Sequence, residues 1–276
     1  MSQPPQPPLT LPEALTLGQQ HQQTGNLSQA EQIYRQILEA DPSYAPALHL
    51  LGEIAMAVGQ LDQAVSLMRQ ALTHAPEQIE TLVTLSHLLK ELGDLAEAES
   101  LSRRAIERHP KLPEAHNNLA NALEAQERYQ EAETSAREAV RLRPRFAEAH
   151  NNLANALRGL GRIDQATTHY RKSLKLRPDQ LEASNNLGVL LITQGRTDEA
   201  ITLYRKALSF GHHLHLVKNT ITALLYHPAT HPDALFQACH QMVPACLEHP
   251  PTPLCSPTSP ATHHPTHGET KRLRVG

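Results

Sequence analysis

A right-handed all-α solenoid of six 34-residue helix-turn-helix units is the fold that this sequence predicts. Three observations carry the prediction. The segment EAHNNLANAL stands at 114–123 and again, letter for letter, at 148–157. Counted in blocks of 34 from Leu11, residues 11–214 run through six units without an insertion or deletion. Alanine then holds the twentieth place of every block, as Ala30, Ala64, Ala98, Ala132, Ala166 and Ala200.

Each element of the unit has a physical signature. Position 7 is Leu17, Leu51, Leu85, Leu119, Leu153 and Leu187, and position 8 is small throughout. With positions 4 and 11 these make one face of a first helix. Position 15 is Gly25, Gly59, Gly93, Gly161 and Gly195, with Glu127 the exception. Glycine ends a helix there because the left-handed conformation costs it little. A second helix follows, carrying the alanine at 20, position 24 (Tyr34, Tyr170 and Tyr204 among others) and position 27. Small residues at 8 and 20 let the two helices approach closely. Ser28 with Glu31 fits a capping box opening the second helix of the first block. Proline at 32, from Pro42 to Pro178, stops each second helix, and His212 replaces it in the sixth block. Beyond the blocks, 215–249 reads as two C-terminal helices, one over 215–226 and one from about Asp233 to Glu248. Residues 1–10 read as a disordered N-terminus, and 250–276, rich in Pro, Thr, Ser and His, as a linker-like tail.

Composition excludes several functions. Net charge is −3 and the pI about 6.6, so no global field favours nucleic acid or an anionic membrane. MSQPPQPPLT has no basic and apolar regions of a secretory signal. The apolar run LGVLLI at 187–192 is far short of the ~20 residues that span a bilayer. Cys239, Cys246 and Cys255 are odd in number and make no disulfide framework, so a reducing cytoplasm is expected. His212, His213 and His215 cluster, as do Cys239, His240, Cys246 and His249, yet neither set closes a tetrahedron. No metal and no cofactor are expected. Arg103, Arg104, Arg141, Arg143, Arg171, Lys172 and Lys175 lie mostly on second helices among acids, a solvated outer face rather than a nucleic-acid patch.

The 34-residue period with its Leu-small, Ala and Pro places resembles the tetratricopeptide repeat family over about three quarters of the chain. The aromatic usual at position 4 is replaced by Ala14, Leu48, Leu82, His116, His150 and Ser184. The resemblance implies that the first helices line a concave groove. Positions 5, 6 and 9 of those helices fall away from the packing face at about 100° per residue. In blocks four to six they carry Asn117, Asn118 and Asn121, then Asn151, Asn152 and Asn155, then Asn185 and Asn186. A carboxamide offers an acceptor and two donors that match a peptide backbone. These eight residues are the candidate peptide-binding set, with Asn118, Asn152 and Asn186 stacked as a ladder.

The asparagine pairs, N-x4-LLYHP at 219–228, Leu235, Phe236 and His240, and a Pro-rich linker into RLRVG make a second resemblance. They look like the N-terminal half of bacterial O-GlcNAc-transferase-like (Spindly-type) proteins, which transfer GlcNAc from UDP-GlcNAc. That resemblance implies a substrate-recruiting solenoid without the catalytic unit, so no enzymatic activity is expected of this chain. The partners expected are proteins or extended peptides, a second copy of the chain among them, with neither nucleic acid nor membrane. The alternative is a free-standing scaffold that assembles protein complexes.

Overall fold

The computed structural model describes residues 9–211, 214–225 and 227. Among them the chain forms thirteen α-helices and no strand. In order they pair as α1 (Leu11–Gln23) with α2 (Leu27–Ala40), α3 (Ala45–Ala57) with α4 (Leu61–His74), and α5 (Ile79–Glu91) with α6 (Leu95–Arg108). Next come α7 (Pro113–Ala125) with α8 (Tyr129–Leu142), α9 (Ala147–Gly159) with α10 (Ile163–Leu176), and α11 (Leu181–Thr193) with α12 (Thr197–Leu208), then α13 (Leu214–Leu225). Every first helix fills positions 1–13 of its block and all but the last second helix fill 17–30. The helix foreseen from Asp233 and the tail after 249 lie outside the described residues.

All six alanines at position 20 are 0 % exposed. Opposite them, position 8 is tuned to position 24. A Cβ built on Gly18 would lie 2.3 Å from Tyr34, and one on Gly188 2.2 Å from Tyr204. Ser86 and Ala120 instead face blocks whose position 24 is Ser102 or Ala136. The exception is Ala154, which shares its unit with the buried Tyr170.

The turns between paired helices show why glycine recurs. Gly25, Gly59, Gly93, Gly161 and Gly195 all have φ between 72° and 87°. Glu127 is held at φ 60°, the one non-glycine residue with positive φ among those described. The start signals differ from the sequence reading. Ser28 lies inside α2, whose N-cap is Asn26, and the Ser28–Glu31 box does not form. A helix begins where the preceding turn ends, and the Gly25 turn sets that point. Instead, the Glu13 carboxylate accepts from the backbone N–H and the hydroxyl of Thr10, both at 2.8 Å. Thr10 thus belongs to the ordered start of α1, one residue inside the stretch that the sequence assigns to a disordered leader.

In blocks four and five histidine stands at position 4 in place of the aromatic. His116 Nε2 lies 2.8 Å from the Pro110 carbonyl, and His150 Nε2 3.1 Å from that of Pro144. His150 Nδ1 also meets His169 Nδ1 at 3.0 Å, with the rings stacked 5.2 Å apart. A neutral imidazole carries one N–H. Donation from His150 Nε2 therefore leaves its Nδ1 to accept from His169 Nδ1–H. Burial, His150 itself and the cations of Lys172 and Arg137 push His169 down to about 4 from the ordinary 6.5.

First helices approach one another, α5 with α7, α7 with α9 and α11 with α13, whereas no two second helices pack to that extent. The first helices are therefore the inner layer of the solenoid, and the second helices its outer face. On that outer face an arginine occupies position 25 of every block. Arg69 pairs with Glu97, Arg103 with Glu131 at 3.4 Å and Arg171 with Glu199 at 2.9 Å, each reaching into the next unit. These arginines are about half exposed, so each bridge contributes at most about 1 kcal/mol. No described helix is long and apolar enough to cross a membrane.

Two outcomes follow from the turn and from the histidine pair. Glu127→Gly relieves a left-handed non-glycine residue and should stabilise the chain by about 0.5–1 kcal/mol in chemical denaturation. Because His169 is depressed in the folded state, the unfolded chain takes up its proton first, and stability should fall as pH drops from about 6.5 to about 4. His169→Leu, the residue or its isomer that four other blocks carry at this place, should flatten that dependence in thermal melts across the same range.

Candidate functional site

The asparagines gather on the inner layer of blocks four to six, but their environments divide them. Asn151, Asn152 and Asn155 are 1 %, 6 % and 5 % exposed, and Asn117 is also buried. Asn118, Asn121, Asn185 and Asn186 are half-buried. The sequence reading set positions 5, 6 and 9 off the packing face, and for block five this is corrected. The inner radius of the curve presses α9 against α7, so every residue from Ala149 to Leu157 is buried. A face that is free on an isolated helix pair becomes a contact between successive first helices.

The stacked ladder Asn118–Asn152–Asn186 does not form as direct rungs. The position-6 amides bond diagonally into the preceding unit. Asn118 Nδ2 donates to the Val83 carbonyl and to Ser86 Oγ, both at 2.9 Å. Asn152 Nδ2 donates to Asn117 Oδ1 at 2.9 Å, and Asn186 Nδ2 to Asn155 Oδ1 at 3.0 Å. Asn155 Oδ1 also accepts from the Tyr170 hydroxyl at 2.6 Å, while its Nδ2 donates to Glu182 at 3.3 Å. The series continues beyond block six, where Asn219 Nδ2 donates to Asn185 Oδ1 at 2.6 Å. In blocks four to six each position-6 side chain reaches whichever neighbour the twist brings nearest, and among the described residues only Asn219 and Asn185 join like-numbered positions directly.

Hydrogen-bonding capacity remains at particular atoms. Asn118 spends both N–H groups and keeps its carbonyl oxygen, and Asn186 keeps its carbonyl oxygen too. Asn121 has no side-chain hydrogen bond among the described residues. Asn151 Oδ1 is buried with no partner. Around these amides stands a set of charges. Glu124 lies one turn after Asn121, with Arg158 at 3.9 Å. Burial raises the Glu124 carboxyl above its ordinary range, opposed by Arg158 and Lys90 and reinforced by Glu182. Burial likewise pushes the Tyr170 hydroxyl well up.

Sequence reasoning missed Asn219, Tyr170, Ser86 and Glu182 as members of this network. Asn219 was legible as the same position 5 as Asn185, 34 residues on. Tyr170 reaches Asn155 across its own helix pair, and Ser86 and Glu182 contact the asparagines only through the packing of neighbouring units. Among the described residues no group of three or more His, Cys, Asp or Glu side chains is placed to hold a metal ion. The histidine and cysteine clusters after 211 lie mostly outside the described residues.

Comparison with known proteins bears on this architecture. The family description of the cilia and flagella-associated protein 70 C-terminal domain, a tetratricopeptide domain, matches residues 10–224. A thermophilic tetratricopeptide protein of Thermus thermophilus is similar at 27 % identity and TM-score 0.59, covering 66 % of this chain and 99 % of its own. A tetratricopeptide protein of Parabacteroides merdae covers 84 % of this chain and 98 % of its own at 15 % identity and TM-score 0.62. The Cut9–Hcn1 hetero-tetramer of the APC/C contains a chain similar in fold, with TM-score 0.70 at 18 % identity over 78 % of this chain and 43 % of that one. No curated protein was found to match this chain.

Proposed function

This chain belongs to the family of the cilia and flagella-associated protein 70 C-terminal domain, and from that membership we propose that it is a protein-interaction solenoid which holds extended peptide segments in its concave groove. The observation that carries the reading is the unspent capacity of Asn118 and Asn121 in block four and of Asn186 in block six, half-buried along the inner layer. An extended chain has its own N–H and C=O groups free, and carboxamides pair with them without reading side chains. Asn117, Asn151, Asn152, Asn155 and Asn185 act mainly from behind, fixing how the units stack and so where the presenting amides stand.

Replacing Asn118, Asn121 and Asn186 together by Ala removes several hydrogen bonds of about 0.5–1.5 kcal/mol each. Binding of a labelled, unstructured Gly/Ser/Ala-rich peptide, read by fluorescence anisotropy, should weaken by roughly 10- to 100-fold. Unchanged affinity in a variant that keeps its helical signal would remove the clamp. Replacing Tyr170 should act differently, through the melting temperature, because it supports Asn155 from within the fold.

The finer reading is that the groove recruits protein substrates for an O-GlcNAc-transferase-like enzyme, with no sugar transfer by this chain itself. What supports it is the concentration of asparagines in blocks four to six together with the N-x4-LLYHP segment. The free-standing scaffold is the second reading, favoured by the fold it shares with a subunit of the Cut9–Hcn1 assembly. The coding sequence after Gly276 separates the two. A glycosyltransferase domain there, in frame or shifted, is expected for the recruiting role, and an unrelated gene for the scaffold.

A further inference from the structure

Position 12 of the first helices in blocks three, four and five carries Lys90, Glu124 and Arg158, a row of charges in the order plus, minus, plus. The row shares a face with position 9, which holds the unpartnered Asn121, because residues three apart on a helix lie side by side. Lys90 and Glu124 keep about a quarter or less of their side-chain surface in water, and Arg158 keeps 44 %.

Glu124 is the under-satisfied member. A carboxylate this buried normally accepts hydrogen bonds. Among the described residues Glu124 has none, and its closest cation stands 3.9 Å away at Arg158. Lys90 is engaged with Glu91 at 3.0 Å. Glu182 bears on Glu124 as a second negative charge. The chain thus leaves a place for a cation at the middle of the row, and exposed positive charge on at least the Arg158 flank.

We propose that the groove reads a charge pattern, and that its ligand is an extended segment of the form acidic-x-x-basic-x-x-acidic, with the basic side chain seated at Glu124 and Asn121. The spacing follows from two lengths. Successive packed helices lie about 8–10 Å apart, and three extended residues span about 10 Å. One residue in three therefore meets one unit of the solenoid, and the plus-minus-plus row is matched by minus-plus-minus. This inference rests on the reading of the groove as a peptide site and adds a side-chain preference to it.

Three labelled peptides of equal length on a Gly/Ser/Ala background test it against the full chain by anisotropy. One carries D-x-x-K-x-x-D, one the reverse K-x-x-D-x-x-K, and one no charge. The first should bind at least tenfold more tightly than the second, with the neutral peptide between them. Glu124→Lys should invert the order. Equal affinities for the two charged peptides would overturn the charge reading while leaving the backbone clamp standing. Failure of all three to bind would overturn the peptide reading and this inference with it. The wild-type comparison decides the matter even where Glu124→Lys unfolds the chain, and Arg158→Glu offers a second, more exposed reversal that should weaken the first peptide.

Discussion

Close approach between the two helices of each unit is the constraint on which the structure depends. It is made possible by alanine at position 20, fully buried six times over, against a small residue at position 8. A pair of helices of this size cannot cover its own apolar surface, so each unit needs its neighbours. The main C-terminal cluster accordingly runs through Leu153, Tyr170, Leu187, Tyr204 and Leu216 across successive units. Leu17 marks the consequence in the first unit: among the described residues no helix packs before α1, and this position is 37 % exposed, whereas the five leucines at the same place elsewhere are buried.

Stacking by apolar burial fixes the order of the units but leaves their relative rotation loosely held, since dispersion contacts have little directionality. Directed bonds supply the rest on both faces. Outside, position-25 arginines reach carboxylates of the next unit. Inside, the asparagines bond from one first helix to the one before it. Buried amides of this kind are costly unless paired, about 1–3 kcal/mol for each lone group. Most here are paired, and Asn151 Oδ1 is the exception. The asparagines are therefore part of the packing, and the few with spare capacity present it from a framework that the others hold.

Charge is distributed with the same two-sidedness. The arginines of the outer face are largely paired to neighbouring acids, which leaves little free positive field despite their number. On the inner layer the charges are sparser and less completely matched. Among the described residues Glu124 is left without a donor, in a half-buried place where charge is felt over longer distances than in water. That asymmetry makes the inner layer the face with demands still to be met.

The sequence by itself determined the repeat. Period, helix limits, the alanine contact and the glycine turns all follow from residues recurring every 34 places, because helix formation, termination and local pairing are short-range events. Helical geometry also assigns Asn118 and Asn121 to one side of α7 from spacing alone. The Ser28 box failed for the same short-range reason, because the preceding turn had already set where α2 begins. What only the tertiary structure decided is the fate of identical letters. Asn121 and Asn155 occupy the same place in a repeated decapeptide, yet one is half-buried without a partner and the other is sealed between Tyr170, Asn186 and Glu182. Part of the difference lies within the unit, since Tyr170 of block five stands where block four has Ala136. The rest comes from the curvature of the stack and from the neighbour that each unit meets, and these are sums over many contacts that no single repeat contains.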